Sequence, residues 1–434
     1  MPTGVIGLGG PCFPGDGVAE VTGGPRLRAV EAFAASVDGH EVICFRDPSG
    51  VTPAVLTAPR AVVEILALFD GHHSLLDIQA ELMRRHGALV PRSQLEALVE
   101  QLDEHLFLEG DRLEAERARL ATAFQASPVR PAVHAGTAYP GEAGSLAEAL
   151  AGYFTHPEGP GPVGPPGPTR LHGLVAPHID LHRGGPAYAW AYRAVAEAED
   201  VDCFVVLGTA HAGLDGQPFA ATRKAYDTPF GPMPVDEEVL DAIVRRSPID
   251  LFASELAHRA EHSIEFQAVC LRYVAAGRQR DQEVRIVPVL ASFVHECLAG
   301  RQDPAEEPRV AGVLDALQAA MASVPRRYCV VAGADLAHMG PRFGDPVPVS
   351  RTELTRIEAE DRALLDRVAQ GDAAGLFAEV RRDGDRRRTC GLSPLYATLR
   401  LLPSGTGRLL SYGQWPDPEG VVTFASLAFT EQPG

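Results

Sequence analysis

Five short segments each close an apolar run with residue types that bind metals or move protons. They are Ala176-Pro177-His178-Ile179-Asp180, Gly208-Thr209-Ala210-His211, Glu261-His262-Ser263-Ile264-Glu265, Asp335-Leu336-Ala337-His338 and Thr389-Cys390-Gly391. Two imidazoles and one anionic donor suit Fe(II), Zn(II) or Cu and leave coordination positions open for a substrate. A further histidine that does not bind the metal can serve as acid or base. Each segment also has a plainer reading. Glu261-His262-Ser263 fits the first turn of a helix, where an acid is favoured by the helix dipole. Cys390 fits a buried thiol, and Asp180, His182 and Arg183 fit ordinary loop polarity.

The chemistry requires that these segments converge, and the flanking pattern predicts that they do. Leu171–Ala176, Cys203–Leu207, Val284–Leu290 and Tyr328–Ala332 are short, nearly all-apolar, β-branched runs, as expected of strands buried on both faces. Helical patterns over Ala187–Ala198, Asp236–Arg246, His262–Ala276 and Val310–Ser323 alternate with them. This alternation predicts an α/β fold, a mostly parallel sheet with helices on both faces. Open sheets of that kind bind ligands at the carboxyl ends of their strands. His178, His211, Asp335 and His338 all follow strand ends, so they should share one rim. Cys390 precedes a helical stretch, Ser393–Leu401, whose N-terminus favours a thiolate. A further strand pair is expected at Leu409–Tyr412 and Val421–Ala425. The Pro/Gly-dense run from His156 to Pro168 can only be a surface loop.

The 434 residues allow two or three domains, and 45% hydrophobic with 22% charged residues is ordinary globular composition. A formal charge of −18 argues against nucleic acid and against an anionic membrane surface as partners. No apolar stretch approaches the roughly 20 residues of a membrane span. The N-terminus has no positively charged n-region, and seven scattered cysteines with no C-x-x-C pair read as reduced thiols in a cytoplasm.

Three expected segments lie ahead of the main α/β domain (129–434): an extension of unclear structure (1–55), a small module (56–113) and a helical linker (114–128). In the module, Pro59 opens one helix, Ser74 caps a second, and Ser93 with Glu96 makes a capping box for a third. A hairpin over Leu106–Leu113 would complete a winged-helix-like α+β domain. DNA binding is disfavoured, because residues 60–118 carry 12 acidic and 6 basic side chains, a net of −6. The stretch Leu68–Ile78 with the third helix resembles PqqD-like domains. That resemblance implies recognition of a peptide; a structural or dimerising module is the other reading.

Taken in order, the five segments and the opening Arg130-Pro131-Ala132-Val133-His134-Ala135-Gly136-Thr137-Ala138-Tyr139-Pro140 resemble the Memo family, whose bacterial members are labelled AmmeMemoRadiSam system protein B. The likeness spans about Arg130 to Phe429. It implies a fold related to class III extradiol dioxygenases and a mononuclear metal, Fe(II) first and Cu or Zn otherwise, held by His178, His211 and Cys390. It also implies that His338 acts as acid or base with Asp335 orienting it, and that Glu261 and His262 wall the pocket. The implied activity is an oxidase or dioxygenase acting on a peptide or small aromatic. The alternatives are a non-enzymatic Cu- or Fe-binding or peptide-binding scaffold, and metal-dependent hydrolysis. After Ala-Pro-His the family continues with aromatics. Here Asp180, His182 and Arg183 make that stretch polar, so Asp180 and His182 are candidate pocket residues or added ligands.

Overall fold

The computed structural model describes residues 5–7, 23–37, 40–87, 89–280, 282–403 and 405–431. Two compact units divide the chain. The first takes the described residues up to Ala126 together with Pro341–Gly344; the second takes Ser127–Gly340 and the residues from Asp345 on.

In the first unit, strands β1 (Val5–Gly7), β2 (Glu31–Val37), β3 (His40–Arg46) and β4 (Val55–Ala58) form one sheet in the order β1-β4-β3-β2. Helices α1 (Arg60–Leu66), α2 (Leu75–His86), α3 (Arg92–Glu104) and α4 (Asp111–Ala126) follow. Ser74 caps α2 as its side chain suggested, in a capping box completed by Asp77. The box expected at Ser93 does not form. Pro91 is the N-cap of α3 and Ser93 lies inside the helix, where Glu96 pairs with Arg92 instead. The hairpin over Leu106–Leu113 is also replaced. Leu108 bridges to Leu27, and Asp111 already opens α4. Leu27 supplies the bridge partner instead, and the charged residues Asp111, Arg112, Glu114, Glu116 and Arg117 after Gly110 favour helix over a second arm.

In the second unit the elements run β5 (Val129–Arg130), α5 (Ala143–Thr155), β6 (Leu171–Ala176), α6 (Leu181–Glu197), β7 (Cys203–Thr209), β8 (Phe219–Ala221), β9 (Ala225–Tyr226), α7 (Glu237–Val244), α8 (Glu265–Gly277), β10 (Arg285–Ala291), α9 (Val294–Gly300), α10 (Pro308–Ser323), β11 (Tyr328–Gly333), β12 (Asp335–Met339), α11 (Arg351–Ala369), α12 (Ala373–Asp383), α13 (Leu392–Leu401), β13 (Gly407–Asp417) and β14 (Gly420–Thr430). Strands β6, β11, β7 and β10 pair in parallel at the centre of an eight-stranded sheet, and antiparallel β14, β12 and β8 flank them. Helices cover both faces, as register parity shows. Gly173, Val330 and Val205 are aligned, and a Cβ on Gly173 would meet Leu402, just past α13. Gly208 and Gly333 have the opposite parity and lie against Ser263 and its neighbours at the start of α8. Because successive side chains alternate across a strand, these are the two faces.

Helix α6 begins at Leu181, six residues before the expected start, and carries Gly184, Gly185 and Pro186 within it. Intrinsic propensity would break a helix there. Leu181, Gly184, Gly185, Ala187 and Tyr188 are buried along this stretch, so packing overrides it. Helices α11 and α12 had no counterpart in the sequence reading. Ile357 on α11 packs with Ala337, Met339 and Val421 in a small core of its own.

Candidate functional site

The parallel strands deliver their carboxyl ends to one place. His178 follows β6 by two residues and is buried, at 1% exposure. Its backbone N–H donates to Asp335 Oδ1 (2.8 Å), and its Nδ1 lies 2.9 Å from the Gly333 carbonyl at the end of β11. A carbonyl only accepts, so Nδ1 carries the proton and Nε2 faces inward. That Nε2 is 3.2 Å from Cys390 Sγ. His211, two residues past β7, is fixed at two points by Glu261. Its N–H donates to Oε2 (2.9 Å) and its Nδ1 sits 3.0 Å from Oε1. Glu261 also accepts the Ser263 N–H at 3.0 Å. His262 stacks on His211 with ring centroids 4.6 Å apart and an interplanar angle of 16°. One ligand atom from each of His178, His211 and His262 lies within 4.8 Å of the others.

Cys390 reaches this cluster because α13 starts directly behind it. Gly391 is required there: a Cβ would lie 2.4 Å from the Asp335 carbonyl oxygen and 2.6 Å from Ala334 Cβ. Its own N–H donates to that carbonyl (3.1 Å). Gly208 answers the same need on β7, where a Cβ would meet Ser263 Oγ at 2.6 Å. The Gly-x-x-His and Cys-Gly motifs are thus close-approach motifs.

The electrostatics follow from burial and proximity. Burial opposes charge on His178, but Asp335 and the Cys390 thiolate outweigh it and raise its pKa to about 9. Burial likewise works against the Cys390 thiolate. The positive His178 and His338 nearby, with hydrogen bonds from His178 and His211, nevertheless hold its pKa well below the ordinary thiol value. Glu261, against the cost of burial, is held well below the carboxylate range by His211 and by the hydrogen bond from the Ser263 amide. His262 is driven the other way, because burial and the neighbouring imidazoles outweigh Glu261 and keep it neutral.

The expected residues divide clearly. His178, His211, His262, Glu261, Asp335, His338 and Cys390 are brought together. His338 is hydrogen-bonded to Cys390, but its Nδ1 faces the Leu336 carbonyl at 3.1 Å. That carbonyl sets its tautomer, a role the sequence had suggested for Asp335; the Asp335 carboxylate is committed to the His178 amide. The stretch after His178 also differs from expectation. Asp180 is the N-cap of α6, and exposed His182 lies beside Arg183 (3.3 Å), outside the three-histidine grouping.

Sequence reasoning overlooked the support beneath. Arg130 is fully buried, forms an ion pair with Glu265, and donates to the carbonyls of His258 (2.9 Å) and Glu261 (2.7 Å). The Tyr139 hydroxyl donates to Glu265 as well. The Arg-to-Tyr segment and Glu-His-Ser-Ile-Glu were visible as motifs, yet nothing in the linear pattern said that one braces the other. His134 adds a fourth ring, 5.6 Å from His262.

A mixed α/β sheet thus gathers imidazoles, carboxylates and one thiol near the carboxyl ends of its parallel strands, and three of the imidazoles could hold a metal ion. Residues 130–427 match the family described as Memo-like protein, and the chain belongs to that family. It is 30% identical over 308 residues to a MEMO1 family protein of Methanopyrus kandleri, covering 69% of this chain and 98% of the relative. A MEMO1 family protein of Aquifex aeolicus is 26% identical over 395 residues, covering 88% of this chain and 95% of the relative. One from Thermus thermophilus is 29% identical over 340 residues, covering 78% and 93%. The Aquifex alignment is longer than the matched family region, so that likeness continues outside it.

Proposed function

We propose that the second unit is a mononuclear metal protein, with His178, His211 and Cys390 as ligands, acting as a non-heme iron oxidase or dioxygenase on a peptide or small aromatic substrate. The donor set carries this reading. A metal about 2.1 Å from nitrogen and about 2.3 Å from sulfur holds the two about 3.1–3.6 Å apart, and His178 Nε2 and Cys390 Sγ are 3.2 Å apart. Both expected histidine ligands have Nδ1 tied back, His178 to a carbonyl and His211 to a carboxylate. This arrangement orients metal-binding imidazoles and raises their basicity.

Fe(II) held there supplies Lewis acidity and one-electron redox chemistry. The chain's own residues do the rest. Glu261 keeps the His211 ring in place, and Asp335 pins the His178 backbone. With its Nδ1 proton committed to Leu336, His338 takes up or returns a proton at Nε2. His262, neutral and stacked on His211, walls the pocket and excludes water from one side.

Metal analysis of anaerobically purified protein tests the reading. Wild type should carry close to one metal per chain and Cys390→Ala much less. Metal-free protein under every loading condition would sink it. Thiolate and imidazole donors also suit copper, which supports a second reading as a non-enzymatic metal store. In that case the loaded protein consumes no oxygen with any peptide or aromatic tested.

For the first unit we propose a winged-helix, PqqD-like module that docks a peptide or protein. Leu76 and Met83, 71% and 49% exposed, lie seven residues apart on α2, and Leu89 (68%) follows. Paired Leu76→Asp and Met83→Asp changes in the full chain should abolish peptide binding measured by fluorescence polarisation. Unchanged affinity would remove this surface from consideration. None of the six described cysteines forms a disulfide, which supports a reducing, cytoplasmic setting; no described helix is long and apolar enough to cross a membrane.

A further inference from the structure

The loop that delivers Cys390 is held in an unfavourable backbone conformation by groups from outside it. Within Gly384–Arg388, three residues have left-handed φ: Gly384 (67°), Asp385 (55°) and Arg388 (50°). Left-handed backbone at a non-glycine residue persists only where the surroundings enforce it. Here each charged side chain of the loop from Asp385 to Arg388 has an anchor outside the loop. The Asp385 carboxylate, 7% exposed, binds His295 Nε2 on α9 at 2.9 Å and accepts the Thr389 N–H at 3.0 Å. Arg386 pairs with Glu353 and Glu360 (2.7 and 2.6 Å) on α11. Arg387 pairs with buried Asp361, whose other oxygen accepts the hydroxyls of Thr423 and Tyr412. Arg388 pairs with Asp345 and donates to the His338 carbonyl at 3.1 Å, while the His338 N–H donates to the Arg387 carbonyl at 2.7 Å.

We propose that Asp385 is a positioning residue for the metal site: clamped by His295, it orients the Thr389 amide and so sets Cys390 against His178 Nε2. The neighbouring arginines tie the same loop to the strand that carries His338, so thiol and imidazole are placed together. Exposed surface pairs contribute little, but Asp385 combines a buried carboxylate, its own left-handed backbone and a hydrogen bond to the amide of Thr389, the residue next to the thiol. The inference rests on the metal reading for its consequence and on the loop geometry for its cause.

The test uses the full chain with Co(II) as probe. Groups that orient metal ligands typically cost about 10- to 100-fold in affinity when removed. Asp385→Ala should therefore weaken Co(II) binding about tenfold or more and alter the thiolate-to-cobalt charge-transfer band. Asp385→Asn keeps an acceptor for Thr389 and tolerates left-handed φ, so it should restore most of both. His295→Gln, an exposed change, should give a smaller loss in the same direction. In metal-free protein the alkylation rate at Cys390, followed by mass spectrometry, should change several-fold in Asp385→Ala and revert in Asp385→Asn. An Asp385→Ala protein with wild-type cobalt band, affinity and alkylation rate, even at reduced thermal stability, overturns the proposal. Wild-type protein without a thiolate–cobalt band instead defeats the metal reading, and the alkylation arm then decides the positioning role alone.

Discussion

A half-buried thiol with an imidazole Nε2 3.2 Å away has two stable forms: a metal thiolate, or a thiolate–imidazolium pair. Both leave sulfur ionised at neutral pH, which agrees with the lowered Cys390 and raised His178 pKa values. Glu261 is the residue whose change reads out most directly. As a carboxylate it binds both the backbone and the ring of His211. Glu261→Gln keeps shape but loses charge, and it should cut metal affinity about 10- to 100-fold, measured by chelator competition. An unchanged affinity would show that His211 needs no partner to bind. Cys390, His178 and His211 could be singled out from residue type and motif. His262 could not be distinguished as a near neighbour of both, because its ring position depends on how α8 begins.

At the scale of elements, the site is the product of close packing between strand ends and the turns that follow them. Gly391→Ala should destabilise the second unit by about 1–3 kcal/mol, because the new Cβ has a carbonyl oxygen 2.4 Å away and no flexible neighbour to yield. A urea titration measures this, and a midpoint equal to wild type would mean that the α13 start shifts freely. The apolar strands were legible because a doubly buried strand needs a continuous β-branched run, and their observed limits fall within two residues of the expected ones. The start of helix α6 and strand β12 were not. Gly184-Gly185-Pro186 has the local chemistry of a break, and Asp335–Met339 is a strand only because β14 pairs with it. The hairpin expected near Leu106 failed for a similar reason, since Leu108 pairs with residue 27, far upstream.

Over the whole molecule, titration of buried groups sets a pH window. His258 is buried between the Ala220 carbonyl and the Tyr226 hydroxyl. Burial lowers its pKa to about 3. The unfolded chain therefore binds a proton that the folded chain refuses between about pH 6.5 and 3. Stability should be full above about 6.5 and fall as pH drops through that range. Glu261, also lowered, adds loss in the same direction below its ordinary range. In metal-free protein His178 acts oppositely: its contribution is complete below about pH 6.5 and is lost as pH rises through about 9. Urea midpoints across pH should thus peak near neutrality. His258→Asn should flatten the acid limb, and an acid limb as steep as wild type would reassign it to other groups. The sequence by itself determined the α/β architecture and the family, together with a strongly acidic net charge. These depend on composition, periodicity and short motifs, all local along the chain. Only the tertiary structure decided that Arg130 braces Glu261 and Glu265, that Leu336 sets the His338 tautomer, and that a clamped left-handed loop carries Cys390. Each of those contacts joins residues whose separation in sequence or whose backbone angle has no local signature, so only the packed fold could specify them.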